Sequence, residues 1–218
     1  SNGGTQWANY DEVTFAFQEV TGDFDVKARL EFQDVSSRWA RAGLMAREDL
    51  NSGQANPPTT TEPTLASRYA DIHANPKRAF SDTAAGMVAG NYSVETHFRA
   101  EVGGQTGAQA GGRPNDPNTW LRLQRVGDTL KAYSSDDAED WELVVTRDVT
   151  GWNKKLYVGP SFCPETQDGN ISPANGLEIK SRLLLAQFRF SPPAGPYLSF
   201  ARPAVGAVDV ALDAALEL

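Results

Sequence analysis

The sequence of 218 residues is poor in several residue types on which common protein chemistries depend. Cys163 is the only cysteine, which excludes an internal disulfide and any cysteine-rich zinc site. The two histidines, His73 and His97, leave little material for a histidine-based metal centre. No run approaches the roughly 20 apolar residues that cross a bilayer, so we expect no membrane insertion.

Positive charge is scarce as well: 20 Lys and Arg face 28 Asp and Glu, which gives a formal net charge of −8. Binding to nucleic acid requires a clustered excess of Lys and Arg that neutralises phosphates, so we expect no nucleic-acid partner. Aromatic residues, by contrast, are plentiful, with 5 Trp, 6 Tyr and 10 Phe beside 19 Gly and 13 Pro. This mixture is typical of an all-β domain that binds a ligand with apolar faces.

Apolar residues alternate with polar ones along most of the chain, which is the period of a β-strand. Two strands on either side of Thr21–Asp23 are predicted to form a hairpin, and Gly127–Asp128 predicts a second hairpin. The predicted strands are Val13–Phe17, Asp23–Phe32, Arg38–Arg47, Leu65–His73, Tyr92–Val102, Trp120–Val126, Thr129–Ser134, Trp141–Arg147, Lys155–Phe162 and Leu183–Phe190. Many such strands without βαβ spacing predict an all-β fold, an antiparallel β-sandwich of the jelly-roll type.

The loops divide the chain into one large domain and a tail. Asn51–Pro63 and Gly103–Asn118 are predicted as long loops rich in Gly, Pro, Asn and Thr, and Pro76–Asn91 as an insertion. A Pro-rich linker begins at residue 191 and ends the sandwich domain of residues 1–190. Residues 191–218 are predicted to be either a docked segment or the start of a truncated neighbour.

Several segments in a fixed order carry a family resemblance. They are TGDFDV (residues 21–26), WARAGLMAR (39–47), WLRLQRVGDTLKAYSSD (120–136) followed by Trp141, LYVGP (156–160) and AQFRF (186–190). In this order the chain resembles the concanavalin A-like lectin/glucanase domains of secreted bacterial proteins, in particular the laminin-G-like and DUF1349-like group. The resemblance covers about residues 3–190. It implies a concanavalin A-like sandwich, an accessory role, and a secreted, periplasmic or cell-surface location.

Carbohydrate binding is the chemistry that these residues favour. A sugar ring has an apolar C–H face and a rim of hydroxyls, so its site needs an exposed aromatic ring with planar polar groups around it. If the alanines and Leu44 of residues 38–47 enter the core, the opposite face of that strand projects onto a sheet surface. The predicted ligand-binding residues on that surface are Trp39, Arg41, Arg47, Tyr69, His97, Arg99 and Arg122.

So many arginines on one surface would suit an anionic sugar, through bidentate contacts with its carboxylates. A structural role for Arg47 stays open, as an ion-pair partner of Asp25 or Glu31. If Arg47 binds ligand, Arg47→Ala weakens glycan binding and leaves the melting temperature almost unchanged.

Catalysis has less support in the sequence. Glycoside hydrolysis needs two carboxylates about 5 Å or about 6.5–9.5 Å apart, and the Glu-x-Asp-x-x-Glu pattern of glucanases with this fold is absent. The nearest acidic cluster, Glu139–Glu142, falls in a predicted turn, so we name no catalytic residue and favour a protein that is not an enzyme. No cofactor is expected. A structural calcium ion stays open, with oxygen ligands in Asp168–Asn170 and Asn115–Asp116.

The function predicted from sequence is a non-catalytic carbohydrate-binding or adhesion-type accessory domain of a secreted bacterial protein, with a polysaccharide or glycan as partner. A glycoside hydrolase, or another polysaccharide-active enzyme on the same fold, is the first alternative. A structural protein-interaction domain is the second.

Overall fold

The computed structural model describes residues 6, 9–11, 13–31, 39–50, 66–75, 94–111 and 119–163, together with the backbone of residues 185–190 and 199–201. These residues contain twelve strands. The strands are β1 (Thr14–Thr21), β2 (Phe24–Leu30), β3 (Arg41–Arg47), β4 (Tyr69–Ala74), β5 (Val94–Arg99), β6 (Gly107–Ala110), β7 (Thr119–Val126), β8 (Thr129–Ser135), β9 (Glu142–Asp148), β10 (Lys155–Cys163), β11 (Leu185–Phe190) and β12 (Ser199–Ala201). None of the described residues belongs to a helix long and apolar enough to cross a membrane.

The strands form two sheets in which neighbouring strands pair antiparallel. The seven-stranded sheet has the order β12-β1-β10-β3-β4-β5-β6, and the five-stranded sheet has the order β11-β2-β7-β8-β9. The predicted all-β antiparallel sandwich is therefore confirmed. The hairpin at Gly127 is confirmed too, because Val126 pairs with Thr129 around a glycine with a φ of 59°.

The hairpin predicted between β1 and β2 is wrong. Gly22 has a φ of 89° and directs the chain from one sheet to the other. β1 then pairs with β10, whereas β2 pairs with β7. Two alternating strands joined by a short turn look the same in sequence whether they pair with each other or cross between sheets.

The two sheets pack face to face through an apolar core. Leu44, Ile72 and Val158 of the seven-stranded sheet are fully buried against residues such as Val26 and Leu123 of the five-stranded sheet. Burying each of these aliphatic side chains contributes about 1.5–3 kcal/mol. The expectation that Leu44 and the alanines beside it enter the core is confirmed.

Both faces of the central strands β3 and β4 of the seven-stranded sheet are buried, which the alternation did not predict. All seven residues of β3 are buried, although Arg41 and Arg47 lie on the face that points away from the core. A smaller apolar cluster containing Phe15, Met45 and Tyr69 also lies on that outer face. The arginine-bearing face is therefore covered.

Other predicted features lie at the margins of the described structure. β6 forms an edge strand inside the stretch that was predicted to be a loop. The sequence did not predict this strand because GAQA has no apolar alternation. β12, from the predicted tail, pairs with β1. The insertion at residues 76–91 and the calcium candidates at 115–116 and 168–170 lie outside the described residues.

Candidate functional site

Five of the seven predicted ligand-binding residues lie on the outer face of the seven-stranded sheet. They are Arg41, Arg47, Tyr69, His97 and Arg99, on the three adjacent strands β3, β4 and β5. Trp39 is half-buried just before β3. The expectation that Arg122 shares this surface is wrong, because β7 belongs to the other sheet.

Asp11 lies between two of these arginines. Arg99 contacts Asp11 in a bidentate manner, with Nη1 2.5 Å from Oδ2 and Nη2 2.8 Å from Oδ1. Arg47 Nη2 donates to the same Oδ2 at 3.0 Å. All three side chains have no exposed surface. We call this group the ion cluster; Arg47 pairs with neither Asp25 nor Glu31, the two partners that the sequence offered.

The donors of Arg99 are fully used within the protein. Besides Asp11, the guanidinium donates to the carbonyl oxygens of Gly104 (2.9 Å) and Ser67 (3.4 Å) and to Thr106 Oγ1 (3.1 Å). A guanidinium has five N–H groups, and these contacts occupy all five. Ligand binding by Arg99 stays a prediction, but the residue has no donor left to offer.

Tyr69 packs beside both arginines. Its ring centroid is 4.9 Å from the Arg99 guanidinium and 5.4 Å from that of Arg47. Its hydroxyl contacts Thr106 Oγ1 at 3.1 Å. Burial, together with the negative charge of Asp11, raises the pKa of Tyr69 well above its ordinary value, and burial lowers the pKa of Arg47.

A second polar group, which we call the histidine cluster, lies beside the ion cluster. It consists of Asp71, His73, Glu95 and His97, all buried. His73 Nδ1 is 3.1 Å from Asp71 Oδ1, and the backbone N–H of His97 donates to the same oxygen at 2.7 Å. His73 Nε2 is 3.7 Å from Glu95 Oε2, and the two imidazole rings meet edge to face with centroids 4.6 Å apart.

The charges around His73 determine its protonation. Burial lowers the pKa of this imidazole, but the negative charge of Asp71, the hydrogen bond to Asp71 and the nearby Glu95 carboxylate outweigh the burial. Arg41 acts in the opposite direction through its positive charge. The net pKa is raised.

The sequence contained a pattern that would have located the histidine cluster. Asp71 and His73 are two residues apart on one strand, as are Glu95 and His97 on the next, so each pair faces the same side of the sheet. The sequence contained no such clue for Asp11, which precedes β1 and meets its arginines only in the fold.

The outer face of the five-stranded sheet has a different character, because its side chains are partly exposed. We call it the aromatic–arginine face and define it by Lys27, Trp120, Arg122, Tyr133 and Trp141, all of intermediate exposure. The register places Arg122 directly between Lys27 on β2 and Tyr133 on β8.

Arg122 is held in place at the centre of this face. Its Nε donates to Asp25 Oδ1 at 2.7 Å, and its Nη2 donates to Asp25 Oδ2. The guanidinium is 5.1 Å from the Tyr133 ring centroid and 5.5 Å from that of Trp141. Lys27 Nζ is 5.3 Å from the Trp141 ring. The hydrogen bonds to Asp25 raise the pKa of Arg122, which keeps it a permanent cation.

The acidic cluster considered for catalysis lies in an exposed turn at the edge of this face. Glu139, Asp140 and Glu142 are exposed, and Asp137 Oδ1 accepts hydrogen bonds from the backbone N–H groups of Glu139 and Asp140 at 2.9 Å. Ala138, within the turn, has a φ of 65°. These acids have the solvated surroundings of an ordinary turn.

Comparison with known proteins finds similarity of fold alone. No protein-family model matches the sequence, and no curated protein matches it. Among solved structures, the chain is similar to a functionally unknown protein from Saccharomyces cerevisiae, with 17% identity over 73% of both chains and a TM-score of 0.47. It is also similar to a xylan β-1,4-xylosidase from Bacillus halodurans, with 13% identity over 71% of this chain and 30% of that one, at a TM-score of 0.42.

A third similar structure is the exoplasmic/lumenal domain of VIP36 with Ca²⁺ and Man3GlcNAc bound, with 8% identity over 76% of both chains and a TM-score of 0.37. Two of the three descriptions concern carbohydrate, xylan in one and Man3GlcNAc in the other. Likeness at this level assigns no function to the chain.

Proposed function

We propose that this chain is a non-catalytic carbohydrate-binding domain that binds a glycan with carboxylate groups, such as a uronic-acid polymer, on the aromatic–arginine face. We also propose that it is an accessory domain of the laminin-G-like and DUF1349-like group, exported from the cell, on the sequence segments that resemble that group. The proposal transfers the predicted sugar site from the buried face to the partly exposed one and keeps Arg122 of the predicted residues.

The observation that carries the proposal is the position of Arg122 beside two aromatic rings on a partly exposed face. Trp141 and Tyr133 offer apolar surfaces to the C–H face of a sugar ring, and Arg122 offers a charged group beside them. Asp25 fixes the guanidinium, so little side-chain entropy is lost when a ligand binds.

The charge of this face favours an anionic glycan over a neutral one. Lys27, Arg29, Arg122 and Lys131 all lie on it, although the whole chain carries a formal charge of −8. Asp25 and Glu31 neutralise part of that positive charge, through Arg122 and Arg29 respectively, and the exposed acids Glu139, Asp140 and Glu142 lie at the edge of the face. The outer face of the seven-stranded sheet has more arginines, but they are buried among protein partners.

The proposal is tested by isothermal titration calorimetry with polygalacturonate and alginate oligomers and, as the neutral probe, a β-glucan oligomer. We expect the wild-type protein to bind an acidic oligomer and Arg122→Gln to weaken binding about 10- to 100-fold, because a hydrogen bond to a charged group contributes about 1.5–3 kcal/mol. Trp141→Ala is expected to weaken binding by a similar factor. Binding is expected to fall with added salt.

Leu143→Ala is the matched control, since Leu143 is 50% exposed on β9 beside Tyr133 and carries no charge. It should leave the affinity within about twofold. The site proposal is wrong if neither Arg122→Gln nor Trp141→Ala changes the affinity for a glycan that binds. Release of reducing ends from a bound glycan by the wild-type protein would contradict the non-catalytic part.

A further inference from the structure

The histidine cluster has the composition of a metal site. It comprises both histidines of the chain and two carboxylates, placed on adjacent antiparallel strands. His73 lies directly opposite Glu95 in the register of β4 and β5, and Asp71 and His97 follow one step further along the same face. Two rigid paired strands hold all four groups.

The donor atoms lie close enough together to surround one ion. One ligand atom from each of Asp71, His73 and His97 lies within 4.8 Å of the other two. Glu95 Oε2 is 3.7 Å from His73 Nε2. In a tetrahedral zinc site with bonds of about 2.0–2.2 Å, neighbouring ligand atoms are about 3.3 Å apart. Zinc binding would draw the donor atoms from the present spacing toward that one.

One atom of the cluster lacks a hydrogen bond within the described part of the chain, although the Glu95 carboxylate lies 3.7 Å away. His73 is 1% exposed, and its Nε2 has no hydrogen-bond partner there. Leaving a buried polar atom unsatisfied costs about 1–3 kcal/mol, so such an atom in a folded protein calls for an explanation. His73 Nδ1 contacts Asp71 Oδ1 at 3.1 Å, so this imidazole and this carboxylate already meet.

We propose that Asp71, His73 and His97 bind a divalent transition-metal ion, with zinc as the best-matched ion and Glu95 as the fourth ligand. Two imidazoles with carboxylates suit zinc and its first-row neighbours, whereas calcium and magnesium select oxygen ligands alone. Because the four ligands are buried and close the coordination sphere, the ion has a structural role and ties β4 to β5.

The neighbouring residues support such an ion. Gln6 Nε2 donates to Asp71 Oδ2, which orients the carboxylate. Gly43 lies opposite His73 on β3, and a Cβ atom there would be 2.5 Å from His73 Cα and 2.1 Å from the carbonyl oxygen of Ile72. The close approach of β3 therefore fixes the backbone at His73.

The experiment measures zinc binding by the tag-free, chelator-treated full chain. We expect one zinc ion per chain by elemental analysis after dialysis, a rise in melting temperature with added zinc, and changes in the imidazole NMR signals of both histidines. Since the chain has only two histidines, these signals report on the proposed ligands and on no other site. Co²⁺ bound in place of zinc should give visible absorption bands as intense as those of tetrahedral cobalt sites.

His97→Gln and Glu95→Gln are expected to weaken zinc binding at least 100-fold and about 10-fold, respectively. Glu101→Gln is the matched control, because this carboxylate is exposed just after β5 and lies outside the cluster. Near-UV circular dichroism verifies that each variant folds. If His97→Gln does not fold, the comparison of Glu95→Gln with Glu101→Gln still tests the site. Unchanged imidazole signals in the wild-type protein at saturating zinc, or equal affinity in Glu95→Gln and Glu101→Gln, would overturn the proposal.

Discussion

Replacing Asp11 with alanine removes the carboxylate that faces both Arg47 and Arg99 and leaves two buried guanidinium groups without their counter-charge. Neither arginine has exposed surface in the folded protein, so water cannot replace the lost partner. Arg47 retains the hydrogen bond from its Nε to Ser67 Oγ at 2.9 Å, but this contact carries no negative charge.

The expected loss in the free energy of unfolding follows from the burial of these charged groups. Removing one partner of a buried ion pair costs about 3–5 kcal/mol, because the remaining charge stays desolvated. Total stabilities of about 5–15 kcal/mol are usual, so this loss is a large share of the free energy of unfolding. For a chain of this size, 1 kcal/mol corresponds to about 2–4 °C, and we expect the melting temperature to fall by about 6–20 °C.

The assay is equilibrium unfolding in guanidinium chloride, followed by tryptophan fluorescence and circular dichroism. Glu19→Ala is the control, because Glu19 and Lys155 form an ion pair at 3.3 Å with side chains that are 56% and 50% exposed. Exposed pairs contribute about 0–1 kcal/mol, so this variant should unfold almost like the wild type. A loss below 1 kcal/mol for Asp11→Ala would refute the reasoning, since it would mean that the arginines find other compensation.

Two further substitutions test the packing of the same sheet. Gly43→Ala should prevent folding or lower the stability by several kcal/mol, because its Cβ would lie 2.1 Å from the carbonyl oxygen of Ile72. Gly111→Ala is the control, since its Cβ would meet only a methyl group at 3.6 Å. In a thermal melt this control should unfold within a few degrees of the wild type. Tyr69→Phe should lower the free energy of unfolding by about 0.5–1.5 kcal/mol, because it removes the hydroxyl contact with Thr106 and keeps the ring between the arginines. An unchanged free energy of unfolding in Tyr69→Phe would mean that the buried hydroxyl contributes nothing to stability.

The fold class was predictable because alternation is a local property. Phe24, Val26, Ala28 and Leu30 follow the period of a strand, and each is buried in the structure, as predicted. The same alternation does not show to which sheet a strand belongs. The sequence around Gly22 therefore predicts a hairpin, although this turn joins strands of different sheets.

The placement of the site was harder to predict for the same reason. Arg122 was grouped with Arg47 because both follow an alternating pattern, whereas pairing across the sandwich puts them on opposite outer faces. The sequence predicts Asp25 or Glu31 as a partner of Arg47, but Asp11 reaches it from the segment before β1. Such contacts depend on long-range packing and not on local pattern.

Burial also changes what an alternating polar residue means. The sequence-based expectation was that Arg47→Ala would weaken ligand binding without loss of stability. With no exposed surface at Arg47, the expectation reverses, and the substitution should destabilise the protein because Asp11 and Ser67 lose a partner. Polar residues on one face of a strand predict solvent exposure only where no other part of the protein covers that face.

The two outer faces of the sandwich therefore use charge in opposite ways. On the seven-stranded sheet, Arg47 and Arg99 pair with Asp11 in fully buried positions, so their charges are used within the fold. On the five-stranded sheet, Arg122 is fixed by Asp25 but remains partly exposed. A net charge of −8 consequently describes neither face. The proposed glycan binding depends on which arginines remain accessible to solvent, and among the residues predicted to bind ligand that condition favours Arg122 over Arg47 and Arg99.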